Sequence, residues 1–481
     1  MGKERPYIYY DLTTTLCDVC LRQIFGKIVF EDNNVFMLKH CDEHGHRKVL
    51  IATDVEYYKN IRNYVKRSEM PLKFNMPVKY GCPYDCGLCT DHEQHSCLSI
   101  VEITDRCNLE CPTCYAMSSP TYGRHRTLAE IEKMFDAIVA NEGEPDVVQI
   151  SGGEPTIHPD FFAVLDIAKK KPIKHIMLNT NGLRIAQEEG FAEKLATYAP
   201  AFEIYLQFDS FKASALKQIR GVDLTKIRQK AIDKLNKLNL ATTLVVTLQK
   251  GVNDDEIGTI IEWATKQPCV RGVTLQPTQV AGRNKNFNPA TDRITLTEVR
   301  QKILDQTKIF TAADIIPVPC NPDALAMGYA LKLARGVYPL TRYVDPQLLL
   351  NSSRNTITYE YDGSLKQHAL KIFSTALSVD DAAGPLHTLL CCLPTIKAPD
   401  LTYKNLFRII IMHFMDAHDF DVRAVKKSCV HIVHKDGRLI PFETMNIFYR
   451  DNKEEYLKKL QAEKKISSES SQQGRVIGAA Q

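Results

Sequence analysis

Ten of the fifteen cysteines in this 481-residue chain lie between residues 17 and 114, and their spacing limits what that quarter of the molecule can be. Two segments share a C-x3-C-x2-C spacing: CPYDCGLC at 82–89 and CNLECPTC at 107–114. Three thiolates on one loop can grip three irons of an iron–sulfur cubane, which normally takes four ligands, and leave the fourth iron open. A third constellation, Cys17 and Cys20 followed by Cys41 and His44, has the spacing of a zinc ribbon or of a rubredoxin-like mononuclear iron site. The strand-like runs between those knuckles are what a small metal-stapled module needs. The choice between zinc and iron stays open, and His46 is the alternative to His44. Disulfides would be the reading in a secreted chain, but MGKERPYIYYD lacks the apolar core of a signal peptide. In a reducing compartment, clustered CxxC spacings point to metal or redox chemistry. Scattered cysteines such as Cys269 and Cys320 read as buried packing.

The composition excludes other classes. Sixty-one Lys and Arg against 57 Asp and Glu leave +4, too little to imply a nucleic-acid or polyanion partner. No apolar run approaches the ~20 residues of a membrane-spanning helix. The expectation is a cytoplasmic protein, with peripheral membrane association left open.

From about 95 to 285, strand runs alternate with helical patterns. The strands are SIVEIT (99–104), VVQIS (147–151), HIMLNT (175–180), EIYLQF (203–208), TLVVTL (243–248) and GVTLQP (272–277). Helical patterns at 127–142, 158–171 and 225–239 separate them. Such spacing implies βαβ units on a parallel sheet, as a partial or complete barrel, with a flat doubly wound sheet as the alternative. The apolar stretches at 323–336 and 403–417 read as helices, making the C-terminal region mixed and helix-rich. The Ser/Gln/Gly-rich tail reads as disordered.

Context separates the two repeated loops. The second follows a strand, so it sits at the C-terminal end of the first barrel strand, where such folds place their active sites. The next strand ends in Ser151-Gly152-Gly153-Glu154-Pro155. Two glycines let backbone approach a ligand closely, and the glutamate can accept from an ammonium group. Together, Cys107, Cys111 and Cys114, the aromatic Tyr115 beside the third cysteine, and Gly152–Pro155 resemble the radical S-adenosylmethionine (SAM) superfamily. The resemblance implies a partial (β/α)6 TIM-like barrel and a [4Fe–4S] cluster whose open iron chelates SAM. It also implies an electron donor such as ferredoxin or flavodoxin, and a 5′-deoxyadenosyl radical that takes hydrogen from substrate. The strand ends at Asn181 and Asp209 are further candidates for the SAM pocket, followed by Gln207 and Gln276, with ordinary turn chemistry as the alternative.

The first loop has no strand leading in, but Cys97 follows it, with Asp91, His92 and His95 between. Cys82, Cys86, Cys89 and Cys97 would fully ligate an auxiliary [4Fe–4S] cluster for electron transfer, support or substrate anchoring, with a Zn(Cys)4 site as the competitor. The knuckle module, the GCPYDCGLCTDHEQHSC segment and the core directly after it resemble one subgroup, the enzymes related to tetraether lipid synthase, also described as dihydropterin methylases. That resemblance implies radical chemistry at unactivated carbon: methylation or C–C bond formation on a lipid, or methylation of a pterin-like small molecule. A non-catalytic iron–sulfur electron carrier is the rival of another class. Relatives carry more cysteines near PVPCNPDA (317–324) and 426–446. Here Ser428 and Glu443 stand in those stretches and Cys320 has no neighbour in sequence, so a third cluster stays open. Adjacent Cys391 and Cys392, and the histidines at 413, 418, 431 and 434, read as packing. The expected organisation is a metal module (1–80), an auxiliary cluster segment (81–98), the radical SAM core (99–285), a substrate-side extension (286–462) and a tail (463–481).

Overall fold

The computed structural model describes residues 5–64, 69–284, 287–333, 336–342, 403–450 and 453–465. Cys391, Cys392 and the tail from 466 lie outside the described residues.

The N-terminal module is an antiparallel meander of β1 (Ile8–Leu16), β2 (Gln23–Glu31), β3 (Asn34–Cys41) and β4 (Gly45–Ala52), paired in that order. The β2–β3 turn is Asp32-Asn33, both at positive φ (49° and 61°). Asp and Asn tolerate that region, which suits the right-handed twist of a two-residue hairpin. Alternate residues such as Ile28, Val35 and Met37 bury themselves beneath the helix Val55–Asn60.

The central sheet is built from β5 (Leu98–Glu102), β7 (Val147–Ser151), β8 (His175–Thr180), β9 (Phe202–Gln207), β10 (Thr242–Leu248) and β11 (Val270–Pro277), all parallel. These strands are buried on both faces, so they read as near-continuous apolar runs. The helices between them show the complementary period. Leu128–Glu142 starts at a Thr127/Glu130 capping box and buries Ile131, Met134, Phe135 and Ile138, one stripe at helical spacing. It stops at Gly143, whose φ of 71° only glycine adopts readily.

The described C-terminal region differs from the helical expectation. Residues 325–333 and 406–412 are strands, β14 and β16, joined by the short β13 (Ile316–Pro317), β15 (Gly336–Pro339), β17 (Val430–Val433) and β18 (Leu439–Pro441). Short apolar runs cannot be assigned by period alone. Here the β-branched Ile409, Ile410 and Ile411 find a place in a sheet interior. β16 lies parallel to β11 with β14 antiparallel beyond it, and β17 lies parallel to β5. The sheet runs β13-β14-β16-β11-β10-β9-β8-β7-β5-β17-β18, a partial barrel left open between β13 and β18. Beneath its open mouth, Arg408 of β16 reaches across the interior to Glu203 (2.7 Å) and Thr243 (2.9 Å), so the inward floor is closed by a buried ion pair. Among the described residues no helix is long and apolar enough to cross a membrane.

Candidate active site and metal centres

Every parallel strand of the core ends on one rim, and the loop after β5 carries Cys107, Cys111 and Cys114 across it. That loop is held from two sides. Its 104–106 backbone lies on the two glycines after β7: Gly153 donates to the Thr104 carbonyl (2.8 Å) and Glu154 to that of Arg106 (2.9 Å). A Cβ on Gly153 would stand 2.1 Å from the Arg106 oxygen, and one on Gly152 2.3 Å from that of Thr104. The glycines are therefore needed for the cysteine loop itself, not only for a ligand. Gly153→Ala should displace the loop and lower cluster content well below half of wild type in iron and sulfide analysis, with the fold otherwise retained. The other clamp is β12 (Arg283–Asn284), which pairs antiparallel with β6 (Thr113–Cys114). Arg283 donates to the carbonyls of Cys111 and Ser118 (both 2.6 Å). A neighbouring glycine, Gly282, sits against the Tyr115 carbonyl, where a Cβ would come within 2.3 Å. The Gly282-Arg283 clamp escaped the sequence reading, although a Gly-Arg pair just beyond the last core strand was its available signal.

The three sulfurs border a cavity of about 160 Å³ that also exposes Gly152, Gly153, Glu154, Asn181 and Tyr115. Glu154 is buried, and burial raises its carboxyl even though four donors oppose the shift. Thr156 (amide and hydroxyl) and Thr180 hold Oε1, while the Asn181 amide holds Oε2 at 2.7 Å. Oε2 thus has one partner where Oε1 has three, so it keeps an acceptor position in a residue that lines the cavity. Tyr115 packs on Phe442 (ring centroids 5.1 Å apart) and under the Arg450 guanidinium, which pairs with Glu102 at 2.5 Å.

Two expected pocket residues lie behind the wall. Ser151 is buried beneath Asn179, whose side chain bonds it at 3.0 Å. Asp209 is fully buried and does not line the cavity. Its carboxylate holds Arg220 through Nε (2.8 Å) and Nη2 (2.6 Å), and Arg228 at 3.3 Å. Arg220 is the group that lines the cavity, beside Gln207. Burial raises the Cys111 thiol, and Arg220 opposes that shift. Burial likewise pushes Cys107 up to about 12.

The Cys82 loop has a different setting. Cys82, Cys86 and Cys89 border a cavity of only about 10 Å³, room for one water molecule and none for a nucleoside. Asp85 shapes the loop by accepting from the amides of Lys79 (2.5 Å), Tyr80 and Gly81 (2.9 Å). Cys97 does not join this loop, which corrects the expected four-cysteine set. It stands instead with Cys320 and Cys429, all three sulfurs within 4.8 Å of one another. Partners so distant in sequence left no spacing signal, and for the same reason Cys320 was wrongly read as unaccompanied. Glu443, buried beside Ser428 and Cys429, has its carboxyl pushed up to about 7 by burial.

In the N-terminal module, Cys17, Cys20, Cys41 and His44 converge within 4.8 Å. The Cys20–Cys41 separation of 3.8 Å matches the edge of a tetrahedron of sulfurs about a single ion, about 3.8 Å for 2.3 Å metal–sulfur bonds. His44 Nδ1 is 3.4 Å from Cys41 and 3.6 Å from Cys17, whereas His46 stacks on His40.

A strand-end cysteine loop, a Gly-Gly-Glu-Pro rim and an open parallel barrel define a class of enzyme, and the comparisons agree with it. Residues 101–264 match the model of the Radical SAM superfamily, and residues 9–53 match that of the HMPTM N-terminal zinc ribbon domain. The chain belongs to the radical SAM superfamily. Over 92% of its length, and 94% of the relative's, it is 30% identical to 7,8-dihydro-6-hydroxymethylpterin dimethyltransferase of Methanocaldococcus jannaschii. It is also 30% identical over 48% of its length to GTP 3′,8-cyclase of Clostridium botulinum, covering 69% of that protein. SuiB of Streptococcus suis bound to S-adenosylmethionine aligns at 16% identity with a TM-score of 0.35, over 44% of this chain and 47% of that one. The protein is thus an enzyme, a transferase, with a [4Fe–4S] cluster and SAM as cofactors, acting on a small-molecule substrate with a reductant.

Proposed function

We propose that Cys107, Cys111 and Cys114 hold the [4Fe–4S] cluster and that the enzyme methylates, or forms a C–C bond at, an unactivated carbon of an apolar substrate such as a lipid acyl chain. When bound, the cluster and SAM supply one-electron cleavage of the sulfonium and a group able to abstract hydrogen from substrate. The chain's own residues do the placing. Glu154, whose Oε2 already accepts the Asn181 amide, lines the cavity with Asn181 and would receive the SAM ammonium there. Arg220, locked by Asp209 and set beside Cys111, lines the cavity as a positive charge that would attract an anionic group such as the methionine carboxylate. Tyr115 closes the loop against the C-terminal wall.

The observation that carries the substrate reading is the apolar part of the same lining. Leu98 and Ile100 of β5 meet Met412, Phe414, Val430 and Phe442 there, with Phe414 stacked on Phe442 at 4.0 Å. These C-terminal residues come from strands, a loop and the short helix Phe442–Thr444, not from the helices expected at 323–336 and 403–417. Such a surface favours methylene groups and excludes water from a reactive intermediate. A lipid substrate would bring the enzyme to the cytoplasmic face of a membrane, and ferredoxin or flavodoxin is the proposed reductant. A second reading has its own support. The name of the Methanocaldococcus relative points to a reduced pterin, and Gln149, Asn179, Gln207 and Gln276 in the cavity lining offer that ring amide partners.

Detergent-dispersed perdeuterated lipid should stimulate reductive SAM cleavage severalfold and pass deuterium into 5′-deoxyadenosine. Absence of transferred label, with stimulation by a 7,8-dihydropterin instead, would select the pterin reading.

A further inference from the structure

We infer that the outer face of the N-terminal sheet is the docking surface for an acidic one-electron carrier protein, seated beside the Cys82 loop. This rests on the reading of the chain as an enzyme that cleaves SAM reductively, and it names where the reductant lands.

The face follows from the pleat. Along β1 to β3, Thr13, Thr15, Ile28, Val35 and Met37 point to one side and are buried. Their alternates form cross-strand rungs on the other side. Tyr9, Val29, Phe36 and Leu50 make one rung, and Leu12, Lys27, Leu38 and Lys48 the next. One step further, Thr14 stands opposite Phe25 and His40 opposite His46. The solvated face of an antiparallel sheet is ordinarily polar. Here Phe25 is 69% exposed, Tyr9 51% and Leu12 47%. Apolar side chains exposed on adjoining rungs of one face mark a contact surface, where scattered ones would not.

Charge and position say what meets it. None of these rung residues is acidic, and two are lysines. Glu31, at the end of β2, pairs with Lys48 at 2.6 Å, and Asp42 approaches His40 at 3.5 Å. Among the described residues no carboxylate pairs with Lys27, which stands exposed between Leu12 and Leu38. An apolar patch around an unneutralised lysine complements a partner with an acidic surface, and a face of this size suits the small, short-lived contacts of electron carriers. The same face continues to Gln23, about 7 Å along the strand from Phe25. Gln23 Nε2 donates to the Cys82 carbonyl at 3.3 Å, and its amide donates to the Tyr84 hydroxyl at 2.8 Å. That hydroxyl donates in turn to the Leu21 carbonyl at 3.1 Å, so face and loop are tied together. Lys464 Nζ, donating to Gln23 Oε1 at 2.8 Å, adds positive charge at the junction. A nucleic acid or a second copy of the chain would gain nothing from a cysteine loop at the edge of its footprint, whereas a redox partner would. The carrier leaves oxidised by one electron, the electron that reductive cleavage of each SAM consumes, and no bond or proton changes hands at the contact.

The test uses the full-length holoenzyme with two acidic carriers, flavodoxin and ferredoxin, beside dithionite, a chemical reductant that needs no docking. Binding of the oxidised carriers is measured by calorimetry. Lys27→Glu and Phe25→Ser should each weaken binding of the better carrier about tenfold. They should slow carrier-driven formation of 5′-deoxyadenosine to match, with the dithionite-driven rate and the metal content unchanged. Lys27→Arg should bind as wild type does, and added salt should weaken wild type more than Lys27→Glu. Equal carrier binding in wild type and both variants overturns the docking assignment, as does failure of both carriers to bind wild type. So does a wild-type dimer that Phe25→Ser dissociates with carrier binding intact, which would make the face a contact between copies. Absence of SAM cleavage with dithionite in wild type would overturn the SAM reading instead, and the binding comparison would still decide the docking surface.

Discussion

Anaerobically reconstituted Cys111→Ala should convert no measurable SAM to 5′-deoxyadenosine under reductant, and Cys107→Ala and Cys114→Ala should behave alike. The reason is chemical and local. Loss of one thiolate leaves a cubane with two protein ligands on this loop, and the cluster's binding and potential both depend on its thiolates. The matching change in the first loop, Cys86→Ala, should remove about half the cubane iron in a two-cluster protein but leave SAM binding measurable, because that loop borders a cavity of only about 10 Å³ against about 160 Å³ at the second. Product analysis by mass spectrometry checks the first effect, and equilibrium binding of SAM the second. Cleavage retained in Cys111→Ala but lost, together with SAM binding, in Cys86→Ala would reverse the assignment of the loops.

What was legible in the sequence was whatever local spacing encodes. The six parallel strands, the helix from Thr127, the ribbon cysteines with His44 and the loop at 107–114 all follow from residues a few positions apart, and the structure places them as read. What failed was long-range. β14 and β16 are apolar runs whose period is ambiguous, and only the vacant edge beside β11 makes them strands. Cys97 was assigned to the nearest cysteines in sequence, yet chain reversal through the C-terminal strands brings Cys320 and Cys429 to it. Glu142 read as the last residue of an amphipathic helix, since nothing local showed that its carboxylate would meet His95. Asp209 was recognised as important but given the wrong partner: its strand-end position was visible, while the arginines that fold over it were not.

That carboxylate should give the largest loss of stability. Asp209 and Arg228 are buried, Arg220 nearly so, and among the described residues Asp209 is the only carboxylate that pairs with either guanidinium. Burial alone would raise its carboxyl, but Arg220 and Arg228 outweigh burial and hold it below the ordinary carboxylate range. It also accepts the Thr247 amide at 3.1 Å, so it ties β10 to the helix Ala213–Arg220. Removing one partner of a buried pair strands the remaining charge, which costs about 3–5 kcal/mol. Asp209→Ala should therefore lower unfolding stability by about that much, with partial relief in Asp209→Asn, which keeps a hydrogen-bond acceptor but no charge. Arg220→Met should cost less, because Arg228 still neutralises the aspartate, but it removes the cavity-lining guanidinium and should weaken SAM binding more than it weakens the fold. Denaturant melts of the three variants beside SAM titrations separate the two roles. If Asp209→Ala melts like wild type while Arg220→Met unfolds, the arginine is the structural member of the pair and the aspartate is not its anchor.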